Sequence, residues 1–179
     1  MTIDSNKKSN RNLSVNIEFK NMTKEYSKEV IDIFNYYVEN SYAAYPESKL
    51  QYEFFKKFLE IISGYPAFVI NKKKVDKIIG FCFLRPYNPF PVFRGTAEVT
   101  YFIEKDEVAK GVGKQALEKL EGEAKKIGIK KLLVDISSEN IQSINFHKKN
   151  GFVECGRFHN VGKKKGKYFD VVWMEKNLL

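Results

Sequence analysis

The amino-acid sequence predicts an α/β fold, a single domain in which a mixed, mostly antiparallel sheet is flanked by helices. Segments that alternate apolar and polar residues, as strands do, are interspersed with segments of helical periodicity. The 179 residues, 43% of them hydrophobic, can form one core, since domains commonly have roughly 100–200 residues. The predicted order is strand, two helices, three strands, helix, strand, helix and two strands, without repeats or a linker.

The first third of the chain is predicted to contain one strand and two helices. Ser14–Lys20 alternates apolar and polar residues and predicts the first strand. Thr23 can cap a helix whose apolar residues recur on one face. Ser41–Glu47 interrupts this pattern as a loop rich in aromatic residues, and a second helix is predicted over Leu50–Ser63.

Three strands are predicted in the middle of the chain. Ala67–Ile70 and Lys77–Arg85 are apolar segments joined by a polar turn, as in a hairpin. Pro86–Gly95 contains three of the five prolines, so it is predicted to be an irregular loop. Thr96–Ile103 has the clearest strand pattern in the chain.

The last third is predicted to alternate helices and strands before a terminal hairpin. Gly111–Ile127 has a continuous apolar face and is predicted to be a helix. Lys130–Ser137 predicts a buried strand, and Asn140–Asn150 a short helix. Phe152–Val161 and Lys167–Asn177 are expected to pair around a turn rich in glycine and lysine.

Several features point to a cytoplasmic location and argue against a membrane partner. Residues 1–13 are polar and predicted to be a disordered tail, with the domain at residues 14–179; no apolar stretch of a signal peptide is present. The longest central apolar run, Ile78–Leu84, is far shorter than the ~20 residues of a membrane helix. Cys82 and Cys155 lie in apolar strand patterns, which indicates free buried thiols and not a disulfide framework or a metal site.

The net charge of +9 raises the question of a nucleic-acid partner. The positive charges are spread along exposed helix faces, and only Lys163–Lys167 forms a compact cluster. No helix-turn-helix, zinc-finger or RNA-recognition pattern is present. We therefore expect no nucleic-acid partner, and the charge can instead attract an anionic cofactor or substrate.

The Gly-x-Gly sequence at Gly111 and Gly113 lies between a predicted strand and a long predicted helix. Such a helix start has unpaired N–H groups and a partial positive charge, which bind phosphate, and Lys110 and Lys114 add charge. The spacing matches neither a P-loop nor a dinucleotide fingerprint, in which Ala116 would have to be the third glycine. From these residues alone, a phosphate site and a helix start with glycines for packing both remain open.

Four segments together resemble one known family. VAKGVG (Val108–Gly113) is similar to the pyrophosphate loop of the GNAT N-acetyltransferase superfamily, with Val108 in place of the usual glutamine or arginine. TAEVTYFI, SSENIQSINFHKKNGF and GKKKGKYFDVVWMEKNL are similar to further segments of its phosphinothricin acetyltransferase-like group. The resemblance covers about Ile17–Leu178 and implies a GNAT-like single-domain fold.

The resemblance implies an acyltransferase. It would move an acetyl group from acetyl-CoA, without a metal, to the primary amine of a small molecule by direct attack in a ternary complex. A phosphinothricin-like or methionine-sulfone-like amino acid, or another amine, would be the acceptor. The alternatives are a protein N-terminal or lysine acetyltransferase, and a non-catalytic nucleic-acid or acetyl-CoA-binding module. The resemblance also leaves a homodimer open.

The resemblance implies two catalytic residues. Glu98, a carboxylate in an apolar strand, would be the general base, because burial raises a carboxyl pKa toward a useful range. The alternatives are an ion pair of Glu98 with Arg94 or a lysine, and a carboxylate that simply faces water. His147 lies where many family members have a tyrosine that protonates the departing thiolate, and the alternative is a structural histidine.

The remaining implied residues bind the cofactor or the acceptor. The main chain of Tyr101, Phe102 and Ile103 would bind the pantetheine arm, together with the side chain of Asn140. The pyrophosphate would be held by the loop residues Ala109, Lys110, Gly111, Val112, Gly113 and Lys114. Tyr42 and Tyr45 are candidates for the acceptor site, and Arg85 and Arg94 could hold an acidic group of the acceptor.

Overall fold

The computed structural model describes residues 15–178 and contains a seven-stranded sheet and four α-helices. The strands are β1 (Ile17–Asn21), β2 (Ala67–Lys72), β3 (Lys77–Pro86), β4 (Thr96–Ile103), β5 (Lys131–Ser137), β6 (Val153–Lys164) and β7 (Lys167–Asn177). The helices are α1 (Ser27–Asn40), α2 (Phe55–Ile61), α3 (Val112–Lys126) and α4 (Ile141–Lys149). The predicted tail lies outside the described residues, so its boundary stays a prediction.

The sheet has the order β1-β2-β3-β4-β5-β7-β6, and every neighbouring pair is antiparallel except β4 and β5. This confirms the predicted mixed, mostly antiparallel sheet. The parallel pair is short, because only Thr96–Glu98 pairs with Lys131–Leu133. Beyond Glu98 and Leu133 the two strands continue without pairing to each other.

Two apolar cores lie on opposite faces of the sheet. One packs α3 and α4 against the sheet and includes the almost completely buried Leu117 and Leu120. The other packs α1 and α2 against residues such as Phe81 and Phe83 of β3. Replacing a buried leucine of this kind by alanine lowers the free energy of unfolding by about 2–5 kcal/mol. Packing of this strength on both faces holds the strands of the sheet in place.

Two sequence predictions are wrong in detail. The second helix begins at Phe55 after a 3₁₀ turn, and not at Leu50, because Leu50 is held as a loop on α1. Its N–H donates to Asn35 Oδ1 at 2.8 Å, and its carbonyl accepts from Asn35 Nδ2 at 2.9 Å. Cys82 is buried as predicted, but Cys155 is exposed, because it lies on the edge strand β6.

Within residues 15–178, no helix is both long enough and apolar enough to cross a membrane.

Candidate active site

The divergence of β4 and β5 leaves an opening in the middle of the sheet. β3 pairs with one edge of β4 and β7 with the far edge of β5, so the edges that face the opening have no strand partner beyond Glu98 and Leu133. The main chain of Val99–Ile103 therefore borders the opening. An extended ligand can bind such a free edge as an added strand would. The carbonyl of Ile103 also accepts a hydrogen bond from the Tyr37 hydroxyl.

The turn after β4, here called the glycine turn (Ala109–Lys114), presents unpaired N–H groups. Gly111 precedes α3, and the first hydrogen bond that closes this end runs from Gln115 N–H to the Gly111 carbonyl at 3.2 Å. The N–H groups of Val112, Gly113 and Lys114 come before that bond and have no carbonyl partner in the helix. The helix dipole adds partial positive charge, so this turn can bind an anionic group.

The two glycines of this turn differ in whether the backbone requires a glycine at their position. Gly111 has φ +83°, a left-handed conformation that strains an L-residue, so the backbone itself favours glycine. Ala109 also has a positive φ of 63°. A Cβ at Gly113 would lie 3.4 Å from Ile103 Cδ1, which is ordinary contact, so only Gly111 is required by the conformation of the turn.

Lysines around the turn make it electropositive. Glu107 accepts from Lys72 at 2.5 Å and pairs with Lys110 at 3.5 Å. The hydrogen bond from Lys72 holds the pKa of Glu107 below its usual range. Lys114 lies 3.8 Å from Glu118 and is largely exposed. Three lysines thus face Glu107 and Glu118, and the 3₁₀ turn before the glycine turn adds one charge of each sign, Lys105 and Asp106. A net positive charge therefore remains near the free N–H groups.

Asn140 caps α4 beside the same opening, where β5 ends. Its Oδ1 accepts from Ser143 N–H at 3.2 Å, which satisfies one of the free donors of the helix start. Its amide Nδ2 makes no hydrogen bond to any residue between 15 and 178. The side-chain oxygen of Asn140 is therefore used for the cap, and its two N–H donors have no partner in the described part of the chain.

Glu98 lies in a cluster of charged side chains on the face of the sheet that carries α1. Arg85 is its direct cross-strand neighbour in β3 and forms a close ion pair with it, while Asp135 of β5 lies 3.8 Å from Arg85. Glu98 is only 7% exposed, and burial raises its pKa; Arg85 opposes the shift and Asp135 adds to it. The sequence suggested Arg94 or a lysine as an alternative ion-pair partner of Glu98, but the partner in the structure is Arg85.

Tyr45 completes this group, here called the carboxylate cluster (Tyr45, Arg85, Glu98 and Asp135). Burial of its hydroxyl raises the Tyr45 pKa above its usual range, and the neighbouring Asp135 raises it further. Glu98 Oε2 is the oxygen that meets Arg85 Nη2 in the ion pair, whereas Arg85 Nε is buried and finds no hydrogen-bond partner among residues 15–178. Buried polar atoms without partners are uncommon, and a bound polar molecule can satisfy them.

Asp135 was not predicted as a site residue. Its segment has the apolar pattern of a buried strand, and a single aspartate there gives no sign of what faces it. The available signal was the carboxylate itself, because Asp is seldom placed within a buried strand without a partner.

His147 lies in the core and not at the opening. It is 1% exposed, and its Nδ1 lies 2.8 Å from the Ser143 carbonyl, which can only accept. Nδ1 therefore carries the proton, and Nε2 accepts from the Tyr101 hydroxyl 2.5 Å away. Burial lowers the His147 pKa to about 4, so the imidazole is neutral at pH 7.

The side chains of the predicted Tyr101–Ile103 triplet anchor this strand end in both cores. Tyr101 and Ile103 pack into the α3–α4 core, and Phe102 packs into the α1–α2 core. The rings of Phe34 and Phe102 meet edge to face, with 5.0 Å between their centroids. Alternation across the strand thus fixes three side chains, while their main chain stays along the opening.

Two surface depressions lie away from the opening. One is lined by Asp32–Glu39 and Lys49–Tyr52, and the other lies between β2 and the end of α2. Neither contains a member of the carboxylate cluster or of the glycine turn. In the described part of the chain, no three His, Cys, Asp or Glu side chains converge as a metal site would require.

The comparisons with known proteins agree with this architecture. An L-methionine sulfoximine/L-methionine sulfone acetyltransferase of Pseudomonas aeruginosa is 33% identical over 115 residues, which are 64% of this chain and 66% of that protein. The match thus spans slightly less than two thirds of the length of that relative. The structure of a ribosomal-protein-alanine N-acetyltransferase from Brucella melitensis superposes with a TM-score of 0.82 at 28% identity, over 89% of this chain and 99% of that one.

A phosphinothricin acetyltransferase of Sinorhizobium meliloti, solved in complex with acetyl-CoA, superposes with a TM-score of 0.83 at 23% identity, over 90% of this chain and 88% of that one. At this identity the likeness shows the fold alone. A family model described as an acetyltransferase (GNAT) domain matches residues 28–173. Because that match covers most of the chain and includes both the opening and the glycine turn, this protein belongs to the GNAT acetyltransferase family.

Proposed function

We propose that the protein is an N-acetyltransferase that transfers the acetyl group of acetyl-CoA to the primary amine of a small amino acid. One observation carries the proposal: an electropositive glycine turn and a free strand edge lie along the same opening as a buried carboxylate, Glu98. An anion site, an extended-ligand site and a proton acceptor are together what amine acetylation requires.

The residues around the opening fit acetyl-CoA. The glycine turn would hold the pyrophosphate through its N–H groups, which are free before the first helical bond to Gly111. The free edge of Tyr101–Ile103 would pair with the pantetheine arm, and the Asn140 Nδ2 donors would bind its polar groups. When bound, acetyl-CoA supplies the activated acetyl thioester.

Glu98 would accept the proton that the acceptor ammonium must lose before its nitrogen can attack. Its pKa is raised by burial, which makes the carboxylate a stronger base than an exposed glutamate. The site then needs ionised Glu98. Activity is therefore expected to fall as pH falls through that raised pKa.

The burial of His147 speaks against the acid role considered from the sequence. With Nδ1–H directed to the Ser143 carbonyl and Nε2 accepting from Tyr101, the neutral ring has no proton free for a thiolate. We infer that His147 instead positions Tyr101, and through it the strand edge at the opening. It is then a positioning residue.

We propose an amino acid as the acceptor class because of Arg85 and the curated relatives. The Arg85 side chain is 38% exposed, lies beside Glu98 and is suited to bind a carboxylate. The acetyltransferase from P. aeruginosa is named for methionine sulfoximine and methionine sulfone. The second candidate is acetylation of a protein N-terminus, favoured by the similarity to the ribosomal-protein-alanine enzyme.

A thiol-release assay tests the proposal directly. The wild-type protein is given acetyl-CoA and a panel of methionine sulfone, methionine sulfoximine, phosphinothricin, a polyamine, an aminoglycoside and an alanine-initiated peptide. Turnover of the small amino acids supports the proposal. Turnover of the peptide alone selects the second candidate, and no turnover combined with no acetyl-CoA binding in calorimetry contradicts both.

We propose further that the protein works in the cytoplasm as a homodimer without nucleic acid. Cys82 and Cys155 are free thiols, as is usual in a reducing compartment. The edge strand β6 exposes Val153, Phe158 and Val161, a surface that a second copy could cover. Light scattering, cell fractionation and a DNA-binding titration at physiological salt test these three points.

A further inference from the structure

Lys164 is a lysine with almost no access to water. It ends β6 and is 1% exposed, although its immediate neighbours Lys163 and Lys165 are exposed. Its ammonium Nζ donates to the Ser41 carbonyl at 2.9 Å and to the Ala44 carbonyl at 2.6 Å. Burying an ammonium group costs free energy unless hydrogen-bond acceptors compensate for the lost water. These two hydrogen bonds are therefore needed to keep Lys164 buried.

These two carbonyls belong to the aromatic loop Ser41–Glu47. Lys164 lies 120 or more residues later in the chain, so its contacts join the loop to the β6–β7 hairpin. A hydrogen bond in the opposite direction supports the junction, because the side-chain hydroxyl of Tyr42 donates to the Lys164 carbonyl at 3.4 Å. The loop is therefore held from both sides.

A second, independent packing contact orders the same loop. The ring of Phe169 packs against Tyr42 and stacks with Tyr45, with centroids 5.7 and 5.9 Å apart. That ring lies directly over Gly162 of β6, because a Cβ at this glycine would be 2.3 Å from Phe169 Cζ. The missing side chain of Gly162 thus makes room for the ring on which Tyr45 stacks.

We propose that Lys164 is a positioning residue for the acceptor site: it fastens the loop Ser41–Glu47 to the hairpin and so sets Tyr45 beside Asp135. This inference rests on the proposed function, which places the acceptor at the carboxylate cluster. The glycine turn precedes α3, which packs on the opposite face of the sheet from α1, and within residues 15–178 it shares no main-chain hydrogen bond with this loop. Loss of Lys164 should therefore affect the acceptor and spare acetyl-CoA.

The test compares Lys164→Met with Lys163→Met in the full-length protein. Methionine has a similar volume and no donor, and Lys163 is an exposed neighbour that lies 5.2 Å from the centre of the Tyr168 ring. For an acceptor that the wild type acetylates, Lys164→Met should lower kcat/KM by about 10- to 100-fold, mainly through acceptor KM, as expected for a displaced positioning group. Acetyl-CoA affinity in calorimetry should stay at the wild-type value, and Lys163→Met should match the wild type.

Amide hydrogen exchange gives a readout that does not depend on turnover. Residues 41–47 should exchange faster in Lys164→Met than in Lys163→Met, even if the wild type acetylates nothing on the panel. In that case the proposed function fails while the anchoring of the loop stands. Equal exchange and equal acceptor KM in the two variants would overturn the inference, as would a parallel loss of acetyl-CoA affinity.

Two further variants test whether Lys164 acts on the acceptor site through the position of Tyr45. One of them, Gly162→Ala, can be used even if Lys164→Met does not fold. Gly162→Ala must displace the Phe169 ring and should raise acceptor KM in the same way. Lys164→Met combined with Tyr45→Phe should be non-additive, since both variants act on one contact. Additive effects, or an unchanged acceptor KM in Gly162→Ala, would contradict the route through Tyr45.

Discussion

The two sides of the opening, which we propose bind the cofactor and the acceptor, are built from different parts of the chain. The cofactor side, made of Tyr101–Ile103, the glycine turn and Asn140, offers mainly main-chain groups of consecutive residues. The acceptor side, the carboxylate cluster, is made of side chains from a loop and three strands. Main-chain recognition tolerates many sequences as long as the backbone keeps its shape. Side-chain recognition changes with each residue, so the acceptor side is where specificity can diverge.

The largest effect is expected from a variant that removes the proposed base, Glu98. It should impair the reaction of the acceptor and leave cofactor binding intact. Glu98→Gln should lower kcat/KM for the acceptor about 10²- to 10⁴-fold at neutral pH, the usual contribution of a general base. Acetyl-CoA affinity should not change, because Glu98 faces the α1 side of the sheet. In the wild type, activity should fall at low pH through a raised pKa.

Initial rates by thiol release from pH 5 to pH 9 measure this effect. The low-pH limb should disappear in Glu98→Gln along with most of the rate. A variant that keeps the full wild-type rate at every pH would show that Glu98 is not the base.

The next effect is on stability and separates a structural histidine from a catalytic one. The His147 pKa is about 4 in the folded protein against 6.5 for the free group, so the unfolded chain binds the additional proton. The contribution of neutral His147 to the free energy of unfolding is therefore fully present above pH 6.5. It is lost as the pH falls toward 4, which lowers the free energy of unfolding by roughly 3 kcal/mol at most. His147→Leu should lack this part of the pH dependence.

Urea unfolding between pH 4 and pH 8 measures it. Because His147→Leu alone leaves the Tyr101 hydroxyl buried without a partner, it should cost about 1–3 kcal/mol, and the double variant with Tyr101→Phe should recover part of that. If His147→Leu instead removes the high-pH limb of kcat and leaves the free energy of unfolding unchanged, His147 acts as the general acid and not as a positioning residue.

A third prediction breaks the cofactor side through its backbone. Gly111 has φ +83°, and an alanine in this conformation costs about 1–2 kcal/mol. If the turn relaxes to avoid that strain, Gly111→Ala should weaken acetyl-CoA binding about tenfold, since ~1.4 kcal/mol corresponds to a factor of ten. Acceptor KM should stay close to the wild-type value.

Gly122→Ala is the matched control on the same helix. Gly122 lies within α3, and an added Cβ there meets nothing within 4 Å. It should bind acetyl-CoA normally and gain about 1 kcal/mol of stability from helix propensity. Calorimetry and thermal melts distinguish the two variants, and equal affinities would contradict a role for the left-handed turn.

The smallest expected effect concerns charge at the turn. Lys114→Met should weaken acetyl-CoA binding only a few-fold, because a charge near a helix start contributes about 0.3–1 kcal/mol and is screened by salt. Lys125→Met, in the last turn of the same helix, should have no effect. The difference between the variants should vanish at high salt, and a difference that persists there would indicate a direct contact.

Most of the fold, including the strand, turn and helix start that form the proposed cofactor side, could be predicted because their signals are local. Thr96–Ile103 alternates as a strand must, the glycine pattern precedes a helix with an apolar face, and Asn140 stands where a helix begins. The second helix was predicted too long because the pair of hydrogen bonds between Asn35 and Leu50 spans 15 residues and leaves no trace in the periodicity.

The sequence by itself determined the order of the strands and helices and the position of Gly111, because propensity, periodicity and backbone conformation act between near neighbours. Only the tertiary structure decided which charges meet. It paired Glu98 with Arg85 and not Arg94, brought Asp135 and Tyr45 beside them, and buried Lys164 under a loop more than a hundred residues away in the chain. Such contacts depend on strand register and on the order of strands in the sheet, which no local pattern encodes.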